Sequence, residues 1–270
     1  TTTRTFPLLP PAALPDSIDT SPETPSDAAP EDTATEPVVP VPFESAELIE
    51  AVHEIDGLER IRFTSPHPKG YGDDLVEAYA RLPKLVENAH LPVQSGSDRM
   101  LKLMHRGYTG ARYLERLGQA RAAIDDLAVS TDIIVGFPGE TDDDFERTLE
   151  VAAAAEYDYA YTFIFSPRPG TEAAGMEADF VNPDVASERF QRLRIVVERS
   201  ALLKHEARVG RVEEVLVEGP SKRDPSVISG RTRQNKLVHF TPPRPLRTGS
   251  YAAVRVVRAA PHFLTGDFVD

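Results

Sequence analysis

The chain has 270 residues, a formal net charge of −13 and no cysteine. This length suffices for one large domain or two modest ones, and the lack of cysteine excludes disulfides, thiolate metal sites and a cysteine nucleophile. No apolar run approaches the roughly 18 residues that a membrane span needs, and proline breaks the first residues too often for a signal peptide. The sequence therefore predicts a soluble, cytoplasmic protein.

Charge is distributed unevenly along the chain. Residues 1–42 carry seven acidic residues and one arginine, a net charge of −6, whereas residues 209–270 carry ten basic and six acidic residues, a net charge of +4. The total charge argues against nucleic-acid binding. That argument does not extend to the basic C-terminal region.

The first predicted segment, residues 1–42, contains ten prolines among Thr, Ala, Ser, Asp and Glu. Such a composition buries too little apolar area to offset the entropy of ordering the chain. We expect a disordered leader with local polyproline II structure, and its simplest role is that of a passive linker or tail.

Helical and strand periodicities alternate between residues 43 and 208. The predicted helices are ESAELIEAVHEI, DDLVEAYARL, SDRMLKLM, GARYLERLGQARAAI, ETDDDFERTLEVAAAA and the segment from Ala186 to Arg208, and the predicted strands are ERIRFTS, NAHLPVQ, LAVSTDIIVG and DYAYTFIFS. This alternation favours an α/β fold with a parallel sheet and helical crossovers. Four strands are too few for a closed eight-stranded barrel, so the region is either an open sheet or part of a (β/α) barrel.

After Gly210 the pattern changes to short strands without helices. The segments RVEEVLVEG, VISGRT, KLVHFT and SYAAVRVVRAA are separated by Gly, Pro and Asn turns, which predicts a small all-β, OB-like barrel over residues 209–270. Such barrels often bind RNA through basic loops and exposed aromatic rings. The RNA-binding candidates are Lys222, Arg223, Arg231, Arg233, Lys236 and Phe240 with the adjacent His239. The alternative is a solvated basic face without a ligand.

Polar loops follow all four predicted strands of the α/β region. Ligands bind at the carboxyl ends of parallel strands, so these loops predict one binding rim. Its candidate residues are His67, Gln94, Ser95, Ser97, Asp132, Gly136, Gly139 and Arg168. The glycines allow close approach of a ligand to the backbone, the N–H groups of residues 95–97 open a helix where an anion is stabilised, and Arg168 can pair with a carboxylate or phosphate.

Each rim candidate also has an ordinary structural interpretation. Any one loop can be a plain turn, Gln94 can cap the next helix, and His67 can be a structural histidine. Asp132 lies within an apolar strand, where an unpaired carboxylate is costly, so it needs a partner or a wet strand end. No His/Asp/Glu cluster has metal-ligand spacing, and no nucleophile elbow, Walker loop or dinucleotide fingerprint occurs.

Four motifs occur together in this order: IRFTSPHP, HLPVQSGSDRMLKLMHRGYT, STDIIVGFPGETDDDF and FIFSPRPGT. They resemble the tRNA methylthiotransferases of the radical-SAM superfamily. HLPVQSGS followed by HRGYT favours the MiaB-like branch, which methylthiolates isopentenyladenosine beside the tRNA anticodon. The segment EEVLVEGPSKRDPSVISGRTRQNKLVHF resembles the RNA-binding TRAM domain of that family, and the resemblance covers roughly residues 43–270.

The resemblance implies a partial radical-SAM (β/α) barrel over residues 43–208 and a TRAM barrel over residues 209–270. It implies S-adenosylmethionine on the rim and tRNA as the partner. The family reaction cleaves the cofactor reductively to a deoxyadenosyl radical, abstracts hydrogen from the adenine ring and inserts sulfur and a methyl group. The residues that match the rim on this basis are Gln94, Ser95, Ser97, Asp132, Gly136 and Arg168.

The cysteines of the family are missing from this sequence. Family members use three cysteines of an N-terminal domain and a CxxxCxxC motif to hold two 4Fe–4S clusters, and a chain without cysteine ligates neither. We therefore expect this chain alone to be inactive, and we assign it no catalytic residue and no metal ligand. It is interpreted as a fragment, as half of a split enzyme whose separate N-terminal half carries the cysteines, or as a catalytically dead tRNA-binding remnant.

Overall fold

The computed structural model describes residues 45–64, 68–222 and 224–269. The predicted leader, His67 and Arg223 lie outside the described residues. All described residues belong to one compact unit, Phe43–Asp270. This unit contains both the α/β region and the C-terminal barrel. None of the helices in this part of the chain combines the length and apolar character that crossing a bilayer requires.

Helices and strands alternate through the first part of the described chain and give way to strands at its end. The helices are α1 (Ser45–His53), α2 (Asp73–Arg81), α3 (Asp98–Leu103), α4 (Gly110–Ala123), α5 (Asp142–Ala155) and α6 (Pro183–Glu206), with short 3₁₀ turns at Pro68–Gly70, Glu172–Gly175 and Glu177–Asp179. The strands are β1 (Asn88–His90), β2 (Ala128–Val135), β3 (Tyr159–Ile164), β4 (Val212–Pro220), β5 (Ile228–Arg231), β6 (Leu237–Thr241), β7 (Tyr251–Ala259) and β8 (Leu264–Val269).

Most of the predicted elements are confirmed, with ends shifted by a few residues. The predicted strand ERIRFTS is wrong, because only Ile61 forms an isolated parallel bridge, to Leu85. The predicted strand NAHLPVQ shortens to β1, and Gln94 alone forms a second bridge, to Ile133. Strand β8 was not predicted, because FLTGDFV is short and interrupted by glycine, which weakens a strand signal.

The α/β region contains a parallel sheet in the order β1-β2-β3. Asn88 pairs with Ala128 across the first ladder, and Asp132 pairs with Tyr161 across the second. Burial alternates along β2, where Val129 and Ile133 are fully buried and Asp132 is only half-buried. Successive side chains point to opposite faces of a strand, so one face of the sheet packs on apolar residues and the other does not.

The helices of the described part of the chain cover only one face of this sheet. Helix α6 packs on β2 and β3, and α5, α4 and α2 follow in a continuous layer beside it. The core between layer and sheet contains Leu75, Leu117, Val129, Ile133, Phe145, Tyr157 and Leu193. In open parallel sheets helices cover both faces, so a one-sided layer supports the interpretation as a segment of a (β/α) barrel. We call the uncovered side the inner face.

The C-terminal strands close into a small barrel in the order β4-β5-β6-β8-β7. All pairs are antiparallel except β6 with β8, which run parallel. The OB-like prediction of a closed β-barrel is therefore confirmed, with β8 supplying the closing strand. Alternate residues fill the interior, namely Val215, Val217, Val238, Phe240, Val254, Val256 and Leu264.

The barrel docks at the amino ends of the parallel strands. An acidic residue stands close before each strand: Glu87 before β1, Asp126 before β2 and Asp158 before β3. Each of them pairs with a basic residue of the barrel or of the connection after α6. The predicted rim lies at the carboxyl ends of the same strands, so the barrel and the rim occupy opposite ends of the sheet.

Gly96 lies where the loop after β1 meets helix α5. A Cβ atom added to it would stand 2.4 Å from the Arg147 carbonyl oxygen and 2.7 Å from Thr148 Cα. Both atoms belong to helix backbone, which cannot move aside cheaply. We expect Gly96→Ala to lower the free energy of unfolding by about 2 kcal/mol, measured by urea denaturation.

Gly118→Ala is the matched control for this substitution. Gly118 lies in α4 with nothing within 4 Å of its added Cβ, so the higher helix propensity of alanine should raise stability by about 0.5–1 kcal/mol. A Gly96→Ala protein as stable as the wild type would show that the loop does not pack on α5 as described.

Candidate functional site

Three of the predicted rim loops share one end of the sheet. Gln94 has a φ of 67°, its N–H donates to the Asp132 carbonyl at 2.8 Å, and its own carbonyl accepts from Ile134 N–H at 2.9 Å. The rings of Phe137 and Phe165 lie 5.3 Å apart, which brings the loops after β2 and β3 together. Arg168 is exposed in the second of these loops.

The serines of the loop after β1 pack against helix α5. Ser95 Oγ lies 3.1 Å from Thr148 Oγ1, and Ser97 Oγ donates to the Asp144 carboxylate at 2.5 Å. Burial raises the pKa of Asp144, but hydrogen bonds from Arg99 and Ser97 outweigh it and hold the pKa below its ordinary value. Both hydroxyls are thus used within the protein, and Ser97 also caps α3.

The glycine corner after β2 is held against helix α6. Gly136 has a φ of 71°, and an added Cβ would lie 2.9 Å from Ala186 Cβ. Its N–H donates to Glu140 Oε2 at 2.8 Å, and the same buried carboxylate pairs with Arg189 at 2.8 Å. Burial raises the pKa of Glu140, although the Gly136 N–H and Arg189 act to lower it. Sequence reasoning missed this pair, although an acidic residue directly after a glycine corner was its visible signal.

Asp132 is the rim carboxylate that remains open on the inner face. His90 Nε2 lies 3.4 Å from Asp132 Oδ2, and Ser130 Oγ lies 2.9 Å from His90 Nδ1. The Asp132 side chain keeps 27% of its surface exposed. The histidine is the partner that an aspartate in an apolar strand requires, and the remaining carboxylate surface can accept hydrogen bonds from a ligand.

The family resemblance implies two cofactors, S-adenosylmethionine and iron–sulfur clusters, and the described residues suit them unequally. Asp132 can accept from an amino group or ribose hydroxyls, and Arg168 can pair with a carboxylate, so the rim suits a polar nucleoside cofactor such as S-adenosylmethionine. An iron–sulfur cluster does not fit. The sequence has no cysteine, and the described residues contain no group of three His, Asp or Glu that could hold a metal ion.

Two residues predicted to bind RNA instead hold the barrel on the sheet. Arg233 donates to both oxygens of the Glu87 carboxylate, at 2.8 Å each. Burial raises the pKa of Glu87, but the bonds from Arg233 outweigh it and the pKa is lowered. Lys236 Nζ lies 2.6 Å from Asp158 Oδ1, and only 3% of the lysine side chain is exposed. Burial lowers the pKa of Lys236.

The connection after α6 supplies the third pair. Arg208 donates to Asp126 at 2.8 Å and to Glu213 at 2.7 Å. The buried Nδ1–H of His205 donates to the Ala260 carbonyl at 2.6 Å. Burial, reinforced by the nearby Lys236, lowers the pKa of His205 to about 4. The contacts of Arg208 with Asp126 and of His205 with Ala260 were not visible in the sequence, because they join residues 82 and 55 positions apart along the chain.

The remaining RNA-binding candidates are scattered over the barrel. Lys222 is exposed in the β4–β5 loop, and Arg231 is half-exposed with Glu218 at 3.5 Å. Phe240 is 2% exposed and belongs to the barrel core, so its ring is not available for stacking. Among the described residues, the structure therefore does not bring the five candidates together on one basic surface.

We predict opposite outcomes for two lysines of the barrel. Lys236→Met leaves the nearly buried Asp158 carboxylate with the Val129 N–H but without its cation, which should lower the free energy of unfolding by about 3 kcal/mol. Lys222→Met removes an exposed charge and should change it by less than about 0.5 kcal/mol. Urea denaturation of both variants measures this difference, and equal stabilities would contradict the docking described above.

Stability should also fall with acidification because of His205. Its pKa is lower in the folded state, so unfolded chains bind the proton first and the stabilising contribution is lost as pH falls from about 6.5 towards 4. Between pH 7 and pH 5 the loss should be about 2 kcal/mol, and His205→Gln should reduce this pH dependence. Denaturation at both pH values tests it. Replacing the exposed His105 by Gln is the control. If the free energy of unfolding of His205→Gln fell between pH 7 and pH 5 as much as that of the wild type, His205 would not be the source of the pH dependence.

The sequence matches two known families. Residues 33–152 match the Radical SAM superfamily, and residues 206–269 match the TRAM domain. A solved structure of the radical SAM enzyme coproporphyrinogen III oxidase (HemN) from Escherichia coli aligns with a TM-score of 0.43 at 15% identity, over 62% of this chain and 45% of that one. That similarity is weak.

Curated relatives share much higher identity. Proteins named tRNA-2-methylthio-N(6)-dimethylallyladenosine synthase from Moorella thermoacetica and Acidothermus cellulolyticus are 48% and 50% identical over 225 and 229 residues. Each alignment covers 83% of this chain, but 50% and 45% of the respective relative. The chain thus spans about half the length of the curated relatives it matches. The chain therefore carries a Radical SAM match followed by a TRAM match, and it is similar to the C-terminal part of these synthases.

Proposed function

We propose that this chain serves in the methylthiolation of isopentenyladenosine next to the tRNA anticodon, in the cytoplasm, with its cluster ligands supplied from outside this sequence. The observation that carries the proposal is the identity of 48–50% to the Moorella and Acidothermus enzymes. In this role the α/β region contributes part of the cofactor site, and the barrel contributes to tRNA binding.

The rim supports the cofactor part of this proposal. S-adenosylmethionine would supply the methyl group when bound. Asp132 would accept from its amino group or ribose hydroxyls, Arg168 would pair with its carboxylate, and Gln94 would contribute its amide. Ser95, Ser97 and Gly136 would act indirectly, by fixing the loops against α5 and α6. No side chain of this sequence replaces the cluster cysteines, so no step of cofactor cleavage is assigned to it.

The barrel supports the tRNA part of the proposal. Its sequence matches the TRAM domain, and Lys222 and Arg231 keep exposed surface for phosphate groups. Arg233 and Lys236 would contribute indirectly, because their ion pairs with Glu87 and Asp158 fix the orientation of the barrel. Arg223 follows Lys222 in the sequence and would act with it.

A second candidate is a tRNA-binding protein without catalytic activity. The observation that favours it is the absence of cysteine from all 270 residues. The two candidates share tRNA binding but differ in catalysis. A separate polypeptide that carries the cluster cysteines would complete the first and would have no effect on the second.

Reconstitution tests the two candidates directly. The chain with iron, sulfide, a reductant and S-adenosylmethionine should yield no methylthiolated tRNA, as measured by mass spectrometry of digested nucleosides. Adding a polypeptide that carries the CxxxCxxC motif should yield product. Methylthiolation by the chain alone would refute the requirement for external ligands, and lack of product with the added polypeptide would favour the second candidate.

A further inference from the structure

A cleft of 580 Å³ lies between the inner face of the sheet and the barrel. Its lining runs from Asn88 and Asp158 at the amino ends of the strands along the inner face to Asp132 and Phe163. Asp132 also belongs to the predicted rim. Arg62, next to the Ile61 bridge, is a further lining residue. The sheet wall carries Tyr159, Tyr161 and Phe163, and the barrel wall carries Arg231, Asn235 and His262.

Aromatic rings form the sheet wall of this cleft. Tyr159, Tyr161 and Phe163 alternate along β3 and are 40%, 47% and 49% exposed. The two tyrosine rings meet edge to face at 4.7 Å, and the His262 ring lies 6.4 Å from Tyr159. Inward positions of small (β/α) barrels are usually filled by branched aliphatic side chains. A row of exposed rings is instead typical of surfaces on which nucleobases stack.

The floor of the cleft contains an unsatisfied hydrogen-bond acceptor. Asn88 is 5% exposed, its Nδ2 donates to the Gln234 carbonyl at 3.4 Å, and its Oδ1 is buried without a partner among the described residues. A buried acceptor without a donor is costly. An N–H group of a ligand, such as the exocyclic amine of a base, would remove this cost.

The charges around the cleft favour an anion. Asp158 is neutralised by Lys236 at 2.6 Å, and Asp132 has His90 at 3.4 Å. Arg62 is exposed and Arg231, which has Glu218 at 3.5 Å, is half-exposed. The chain as a whole has a net charge of −13, so long-range attraction cannot recruit RNA. Binding must come from short-range stacking and these local cations.

We propose that the cleft binds one unpaired, non-reacting nucleoside of an RNA strand. Its base stacks on Tyr161 and Tyr159, an amine of the base donates to Asn88, and the adjoining phosphate lies beside Arg231. This site deepens the proposed function and rests on it, since it requires RNA as the partner. It borders the predicted cofactor rim at Asp132 and differs from it in its walls, which are the aromatic row of β3 and residues of the barrel.

Photo-crosslinking locates the nucleoside. A tRNA anticodon stem-loop with 4-thiouridine in its unpaired loop is bound to the whole chain, irradiated and digested, and the crosslinked peptides are sequenced by mass spectrometry. Crosslinks at Tyr159 or Tyr161 are expected. Crosslinks confined to other surfaces would overturn the site and leave tRNA binding intact, whereas no binding of this RNA at any salt concentration would overturn the proposed function as well.

Substitutions measure the contribution of stacking. Tyr161→Ala should weaken binding of the same RNA by roughly 5- to 150-fold, whereas Tyr161→Phe, which keeps the ring, should bind within about threefold of the wild type. Phe180→Ala removes a ring of similar exposure, 38%, outside the cleft, and should leave affinity unchanged. Melting temperatures establish that each variant is folded. Equal affinities of Tyr161→Ala and the wild type would refute the stacking role.

The inner face has one competing occupant, the strands of a complementary barrel segment. The polypeptide with the CxxxCxxC motif is added before irradiation to distinguish the two. Persistence of the Tyr159 or Tyr161 crosslink supports the nucleoside site. Loss of the crosslink while the RNA remains bound would assign this face to the added strands and overturn the proposal.

Discussion

The arrangement of this protein depends on three ion pairs at the amino ends of three parallel strands. Glu87, Asp126 and Asp158 stand close before β1, β2 and β3, and their partners are Arg233, Arg208 and Lys236. Lys236–Asp158 is nearly buried, and separating the partners of such a pair is costly. The other two pairs are partly exposed and contribute mainly through charge-assisted hydrogen bonds of fixed direction. The three pairs therefore select one orientation of the barrel on the sheet and disfavour others.

This constraint determines which charges remain available for a ligand. The net charge of +4 over residues 209–270 suggests a basic RNA-binding surface, yet Arg233, Lys236 and Arg211, three of its ten cations, pair with the acidic residues before the strands. The same pairs place the barrel at the end of the sheet opposite the predicted rim and leave the inner face of the sheet between them. Tyr161 and Asp132 are neighbours on that face, so a strand of RNA held there would approach the rim from the barrel side.

The family motifs of the rim combine packing with potential ligand contacts. Gly96 and Gly136 are required for the close approach of loops to α5 and α6, and Ser97 caps α3 and bonds to Asp144. These motifs support the shape of the rim whether or not a cluster is bound. That explains how a chain without cysteine can match the family closely in sequence while lacking the ligands for its chemistry.

The sequence by itself determined the α/β region, the β-barrel and the family resemblance, because periodicity, caps such as Thr141 and long motifs are local signals. It also predicts that Asp132 and Arg168 share one rim, since parallel strands bring their carboxyl ends together. Only the tertiary structure decided that Phe240 is core, that β8 closes the barrel, and that Arg233 and Lys236 face acidic partners instead of solvent. Those partners lie 146 and 78 residues away along the chain, and a composition count cannot tell a paired cation from a free one.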